Sequence, residues 1–222
     1  MKKIPPYVTT LSAIFVLAVV SLISTSSYAN PNQAMIELYN QGASGDADAV
    51  EQVNQQLKVV LKKEGATPLT LIYLGSSETL LGRDAWMPWK KMEYTERGLA
   101  QMDKALNLLS NREQTQVKQP LVNGLIESNL VKAMAASTFT SVPDFFNHFD
   151  RGYEIYIELL NDSHFVNHDF SATAWVYYYG VLAAMKAEDV TQAKHWLQQM
   201  RLKNSEHPLT IKAQQTVQKE AA

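Results

Sequence analysis

The chain has 222 residues, 46% of them hydrophobic and 19% charged, with no Cys and a formal net charge of −2. This composition is typical of a globular domain with a hydrophobic core, and it gives no support for a nucleic-acid-binding protein. The absence of Cys excludes disulfides, thiolate metal sites and a Cys nucleophile.

Residues 1–29 have the three-part pattern of a secretory signal peptide. Two lysines form the basic start, and an apolar run of 13 residues follows at Leu11–Ile23. Small residues then predict cleavage between Ala29 and Asn30. The run is short for a membrane span, which needs about 20 apolar residues, so an uncleaved N-terminal anchor is the weaker alternative. We therefore expect residues 30–222 to be exported to the periplasm and to have met the membrane only through the signal peptide.

Helical periodicity and capping signals predict eight or nine α-helices after the signal peptide, and no convincing β-strand. The first four are predicted to begin near Asn32, at Asp46, at Thr67-Pro68 and at Pro88. The fifth runs from Glu113, or from about Gln119 because of Pro120, to Ser137. The later helices are predicted from Pro143 to Leu160, from Asp169 to Ala187, from Glu188 or Asp189 onward, and from Pro208 toward Gln218.

Three segments carry small and large residues at the spacing found where two helices cross. They are Leu74-Gly75 with Gly98, Met102 and Ala105; Trp175, Tyr179 and Gly180 with Ala193, Leu197 and Met200; and Leu38-Tyr39, Gly42, Gly45-Asp46 and Ala49. These segments resemble tetratricopeptide (TPR) repeats, and the chain resembles an exported TPR-like protein. The resemblance implies an all-α array of antiparallel helices over residues 30–222. The separation of Gly75 and Gly98 exceeds that of an ordinary repeat in the family.

The extra length is an aromatic elbow, Arg83–Trp89, between the third and fourth predicted helices. One interpretation is structural: one Trp fills the gap between the two helices, while Arg83 and Asp84 cap the turn. The other is a binding surface, since Trp and Arg are common in binding hot spots. It makes Arg83, Trp86 and Trp89 partner-binding candidates. Both hold if one Trp is buried and the other exposed, which is our expectation.

Three consecutive tyrosines, Tyr177, Tyr178 and Tyr179, lie in the seventh predicted helix. Successive helical positions point about 100° apart, so at least one of these rings must reach a groove or the surface. Tyr177 and Tyr178, together with Tyr153 of the sixth helix, are therefore further partner-binding candidates.

His164 and His168 form the strongest metal-like pair, because two His at i and i+4 on a helix can share a Zn²⁺ ion. The pair lacks the Glu of the metalloprotease pattern and follows a loop-like Asn-Asp-Ser, so we favour two surface His residues. Asp144 and His148 have the same spacing and are interpreted as a solvated helix face. The segment Ser76–Glu78 is interpreted as ordinary helix surface.

These patterns predict a non-enzymatic periplasmic module that holds a protein or peptide partner of the cell envelope, with no cofactor and no metal. A small-molecule binding protein with an aromatic pocket between helices is the second hypothesis. A metal-dependent hydrolase using His164 and His168 is the third. An open groove lined by polar and aromatic side chains favours the first hypothesis, and an enclosed apolar pocket favours the second.

Overall fold

The computed structural model describes residues 30–113 and 119–220. The predicted signal peptide, including Ala29, lies outside these residues, and Asn30 is the first residue within them.

The predicted all-α fold is confirmed, with consecutive helices packed against one another as in a helical repeat protein. The described residues form ten α-helices: α1 (Gln33–Ala43), α2 (Ala47–Glu64), α3 (Pro68–Asp84), α4 (Pro88–Glu113), α5 (Glu127–Ser141), α6 (Phe149–Asn161), α7 (Ser163–Val166), α8 (Phe170–Lys186), α9 (Val190–Asn204) and α10 (Pro208–Glu220). Nine correspond to predicted helices, and the four-residue α7 is the addition. In the part of the chain that the structure covers, no helix is long and apolar enough to span a membrane.

The predicted helix starts are confirmed where a capping side chain marks them. Asn32, Asp46 and Thr67 each accept a hydrogen bond from the backbone N–H three residues further along, which satisfies one of the free donors of the first turn. Pro68 and Pro88 occupy the first positions of α3 and α4, where a missing N–H costs nothing.

The predicted start of the fifth helix was wrong, because a β-hairpin precedes it. Strands β1 (Leu121–Val122) and β2 (Leu125–Ile126) pair antiparallel, and α5 begins only at Glu127. Asn123 and Gly124 connect them with φ angles of 51° and 79°. Two positive φ angles are required by the tight hairpin turn for which Asn-Gly is the preferred sequence.

Helix α3 lies at the centre of the first half of the molecule, in contact with α1, α2, α4 and α5. Every residue from Leu69 to Glu78 is buried, so α3 is surrounded on all sides. The helices α6, α8, α9 and α10 continue the packing from α5, with Tyr156, Tyr177 and Trp196 fully buried between them.

Glycines lie at the closest crossings between helices. A Cβ atom added to Gly75 would lie 2.6 Å from the carbonyl oxygen of Gly98, so α3 and α4 touch backbone to backbone. A Cβ on Gly42 would lie 2.7 Å from Val50, and one on Gly180 would lie 2.8 Å from Leu160. Each of the three segments that resemble a repeat therefore contributes a small residue to a real helix crossing.

Candidate functional site: a groove beside the aromatic elbow

The elbow between α3 and α4 borders a groove of about 830 Å³. The C-terminal ends of α1, α3 and α5, the start of α4 and a 3₁₀ turn at Asp144–Phe146 form its walls. Aromatic and hydroxyl side chains line it: Tyr39, Phe145, Phe146 and Tyr179, with Ser76, Thr79, Thr95, Ser137, Thr138 and Ser141. We call it the elbow groove.

The wall of the groove formed by α1 and α3 is polar, and its hydroxyl groups hydrogen-bond to one another or to the backbone. The Tyr39 hydroxyl and Ser76 Oγ are 2.6 Å apart, and the Tyr39 ring packs edge-on against Tyr73. Burial raises the pKa of Tyr39, so its hydroxyl stays protonated at neutral pH and can donate a hydrogen bond. The Thr79 hydroxyl donates to the carbonyl oxygen of Ser76. A hydroxyl oxygen can accept two hydrogen bonds, so these lining residues can also accept hydrogen bonds from an occupant.

Three cationic side chains donate hydrogen bonds to backbone carbonyl oxygens at the C-terminal ends of the helices that border this groove. Arg83 Nη2 donates to the carbonyl oxygen of Gly42 in α1, at 3.1 Å. Lys91 Nζ donates to the carbonyl oxygen of Arg83 at the end of α3, at 3.1 Å, and Lys186 Nζ donates to that of Thr140 in α5, at 3.4 Å. Positive groups are favourable at these ends because the last carbonyls of a helix carry partial negative charge.

Arg83 therefore has a structural role at the end of α1, rather than as a cap of the elbow turn. Its guanidinium also forms two hydrogen bonds with the Asp84 carboxylate, at 2.7 and 2.8 Å. Arg83 lines the elbow groove, but its guanidinium nitrogens donate to the Asp84 carboxylate and to carbonyl oxygens at the end of α1.

Both elbow tryptophans are exposed, so the expectation of one buried Trp was wrong. Trp86 is 88% exposed and Trp89 is 63% exposed. The reason lies at Gly82, where an added Cβ would lie 2.6 Å from Thr95 Oγ1. The two helices already touch at this end, so they leave no gap that an indole ring could fill.

The tyrosine candidates lie on different sides of the molecule. Tyr177 is buried, its hydroxyl donates to Gln199 Oε1 at 3.2 Å, and burial raises its pKa to about 12. Tyr153 is half-buried and donates to Asp189 at 3.0 Å. Tyr178 is half-buried beside the ring of Tyr179. None of these three candidates lines the elbow groove. Of the three consecutive tyrosines, Tyr179 is the one that reaches it, in agreement with the expectation that at least one ring of the run reaches a groove or the surface.

The structure does not bring the metal-like pairs together. His164 is exposed in α7, whereas His168 lies beyond the end of α7, with Nε2 3.3 Å from Asn129 Nδ2. Asp144 and His148 do not share a helix, because Asn147 between them has a left-handed φ of 56°. Asp144 pairs with Lys186 instead. Among the described residues, no group of three or more His, Asp or Glu could hold a metal ion.

Sequence reasoning missed two features near the site. Ser76, Ser77 and Glu78 are all buried, so the prediction of ordinary helix surface was wrong. The largely apolar run Leu69–Leu74, interrupted only by Thr70, was the available signal, since a helix that is hydrophobic all round is buried. Phe145 and Phe146 line the groove from a 3₁₀ turn too short to show periodicity.

No protein-family model matches the chain, and comparisons with curated proteins and with solved structures give no match either. The class of protein is therefore defined by the fold and the site alone: an all-α protein of consecutively packed helices with a groove at the ends of three of them.

Proposed function

We propose that this chain is a non-enzymatic, exported TPR-like module that binds a segment of a protein partner in the elbow groove. The observation that carries the proposal is the lining of the groove, which combines exposed aromatic rings with hydroxyl groups. Helical repeat proteins use concave surfaces between neighbouring helices to hold extended segments of their partners. Export to the periplasm rests on the signal-peptide pattern of residues 1–29.

Phe145 is the central contact of this proposal. Its ring is 63% exposed and packs at a tilted angle against Phe146, with centroids 4.3 Å apart, and it lines the same groove as Tyr39. An apolar side chain of the partner would cover this ring, while the hydroxyl groups of α3 and α5 would accept hydrogen bonds from the partner's backbone.

A photo-crosslinking amino acid at position 145 or 179 tests the proposal in intact cells. We expect crosslinks to a protein from both positions and none from position 202, because Leu202 is 80% exposed but lies on α9, away from the groove. Phe145→Ala should weaken capture of that protein when the crosslinker is at 179. Equal crosslinking from all three positions would contradict a binding role for the groove.

A small-molecule ligand is the second candidate function, favoured by one observation. The groove volume of about 830 Å³ lies within the range of about 300–1,000 Å³ found for small-molecule sites. Native mass spectrometry of the protein purified from the periplasm distinguishes the two functions. A bound small molecule that Phe145→Ala releases, without any groove-specific protein crosslink, would favour this second function.

A further inference from the structure

The end of the α3–α4 hairpin carries an apolar surface of which only Met92 also lines the elbow groove. Eleven large hydrophobic side chains of the described residues are exposed, and four of them lie between positions 86 and 92. They are Trp86, Met87, Trp89 and Met92, with exposed fractions of 88%, 40%, 63% and 45%. We call this cluster the tip patch. A concentration of exposed apolar side chains of this kind usually marks an interaction site.

The charges around the tip patch are mainly positive. Lys90 and Lys91 lie in the first turn of α4, and that turn contains no acidic side chain. Cations are unfavourable at a helix N-terminus because its free N–H groups already carry partial positive charge. Lys90 forms an ion pair with Glu93 and its Nζ lies 5.8 Å from the centroid of the Tyr94 ring. Both side chains of the ion pair are nearly half exposed, so this pair holds the lysine weakly. Lys91 Nζ donates to the carbonyl oxygen of Arg83 at 3.1 Å, which offsets its unfavourable position in the first turn. The charge of the two lysines complements a negatively charged surface.

We propose that the tip patch inserts into the headgroup region of an anionic phospholipid bilayer. Indole rings favour the membrane interface, where the apolar ring is buried and the N–H stays hydrated. Lysines beside such rings face the lipid phosphates and add electrostatic attraction. Met87 and Met92 are unbranched, flexible apolar side chains that can pack among irregular lipid chains.

This membrane contact is separate from the predicted signal peptide. Asn30 contacts Thr67 at the N-terminal end of α3, through a 3.1 Å hydrogen bond, whereas the tip patch lies beyond the C-terminal end of the same helix. A helix of 17 residues is about 26 Å long. When the axis of α3 is perpendicular to the bilayer, its two ends therefore cannot both contact the same membrane surface. The tip patch also does not depend on the elbow groove having a peptide ligand.

Vesicle flotation with residues 30–222, which contain every described helix, tests this proposal without the apolar signal segment. The probes are vesicles of phosphatidylethanolamine with phosphatidylglycerol, and vesicles of phosphatidylcholine alone. We expect binding to the anionic vesicles, reduced at least about tenfold by Trp86→Ala with Trp89→Ala, since each indole contributes strongly to interface partitioning. Lys90→Gln with Lys91→Gln should reduce binding to the anionic vesicles by about fivefold for each lysine.

Brominated lipids supply a second measurement, because they quench only Trp fluorescence at the bilayer. Trp175 is half-buried and Trp196 is fully buried, so quenching reports on the tip.

The matched control is Leu202→Ala with Ile211→Ala, which removes exposed apolar side chains from α9 and α10 and should leave binding unchanged. The double Trp variant should melt like the wild type, since both rings are largely exposed. Absence of vesicle binding by the wild type, or binding unchanged in the Trp variant, would overturn the proposal.

Discussion

At the scale of single residues, the most unusual feature is the buried carboxylate of Glu78. Its side chain is 2% exposed, and Oε1 accepts from Arg97 Nε at 2.8 Å and lies 3.5 Å from Lys58 Nζ. Within the described atoms, Oε2 has no hydrogen-bond partner. Burying a charge is costly unless it is fully paired, so Arg97 compensates for Glu78 rather than adding net stability.

We therefore expect Arg97→Ala to lower the free energy of unfolding by about 2 kcal/mol, since it leaves a buried carboxylate with only the more distant Lys58. Glu78→Met should be nearly neutral, and it should restore most of the loss when combined with Arg97→Ala, because Met fills a similar volume without a charge. Urea unfolding of the single and double variants measures this cycle. A Glu78→Met variant as unstable as Arg97→Ala would mean that the carboxylate itself stabilises the fold.

At the scale of helices, the crossing of α3 and α4 depends on two glycines. A Cβ on Gly75 would meet the Gly98 carbonyl oxygen at 2.6 Å and Met102 Cγ at 2.8 Å, and backbone atoms cannot move aside cheaply. We expect Gly75→Ala to destabilise the protein by about 2 kcal/mol, although Ala favours helix formation by about 1 kcal/mol over Gly.

Glu96→Ala is the control for this prediction, because Glu96 is exposed on α4, the helix that Gly75 packs against, and should change stability by less than about 0.5 kcal/mol. Thermal unfolding followed by circular dichroism compares the two variants. A Gly75→Ala variant more stable than the wild type would show that the helices can separate without cost, contrary to the crossing geometry.

How far the sequence predicted these elements depends on whether the signal was local. N-cap residues such as Asp46 and Thr67, and the glycines at crossings, act through atoms a few positions away or through simple size, so their roles were predictable. The hairpin before α5 was missed because two-residue strands have no periodicity, although Asn123-Gly124 was the available signal. The exposure of both elbow tryptophans was not predictable, since it follows from how closely α3 and α4 approach at Gly82.

At the scale of the whole molecule, the elbow connects the two proposed surfaces. Pro88, Lys91 and Met92 line the elbow groove, while Trp86 and Trp89 lie on the adjoining exposed end. If both proposals hold, a bilayer bound at the tip would lie beside the mouth of the groove. The partner segment would then be one that emerges close to a membrane. Replacing Trp86 and Trp89, which do not line the groove, would leave the groove able to bind it in solution.

The core also predicts how the whole fold responds to alkaline pH. Burial raises the pKa of Tyr73 and of Tyr156 well above the ordinary value, and raises that of Tyr177 to about 12. In the unfolded chain these hydroxyls ionise near pH 10. Above that pH the unfolded state loses protons that the folded state keeps, so stability falls as pH rises.

Each buried tyrosine contributes a slope of up to about 1.4 kcal/mol per pH unit between its unfolded and folded pKa. Three together approach about 4 kcal/mol per unit, enough to unfold an ordinary domain by about pH 12. We expect tyrosinate absorbance and loss of helical circular dichroism to rise together in this range.

Tyr73→Phe keeps the ring against Tyr39 but removes one ionisable hydroxyl, so it should reduce the slope by about 1.4 kcal/mol per unit. Ionisation of all tyrosines with the helices intact would show that the rings are not buried as described, because a buried phenolate without a partner is not stable in a packed core.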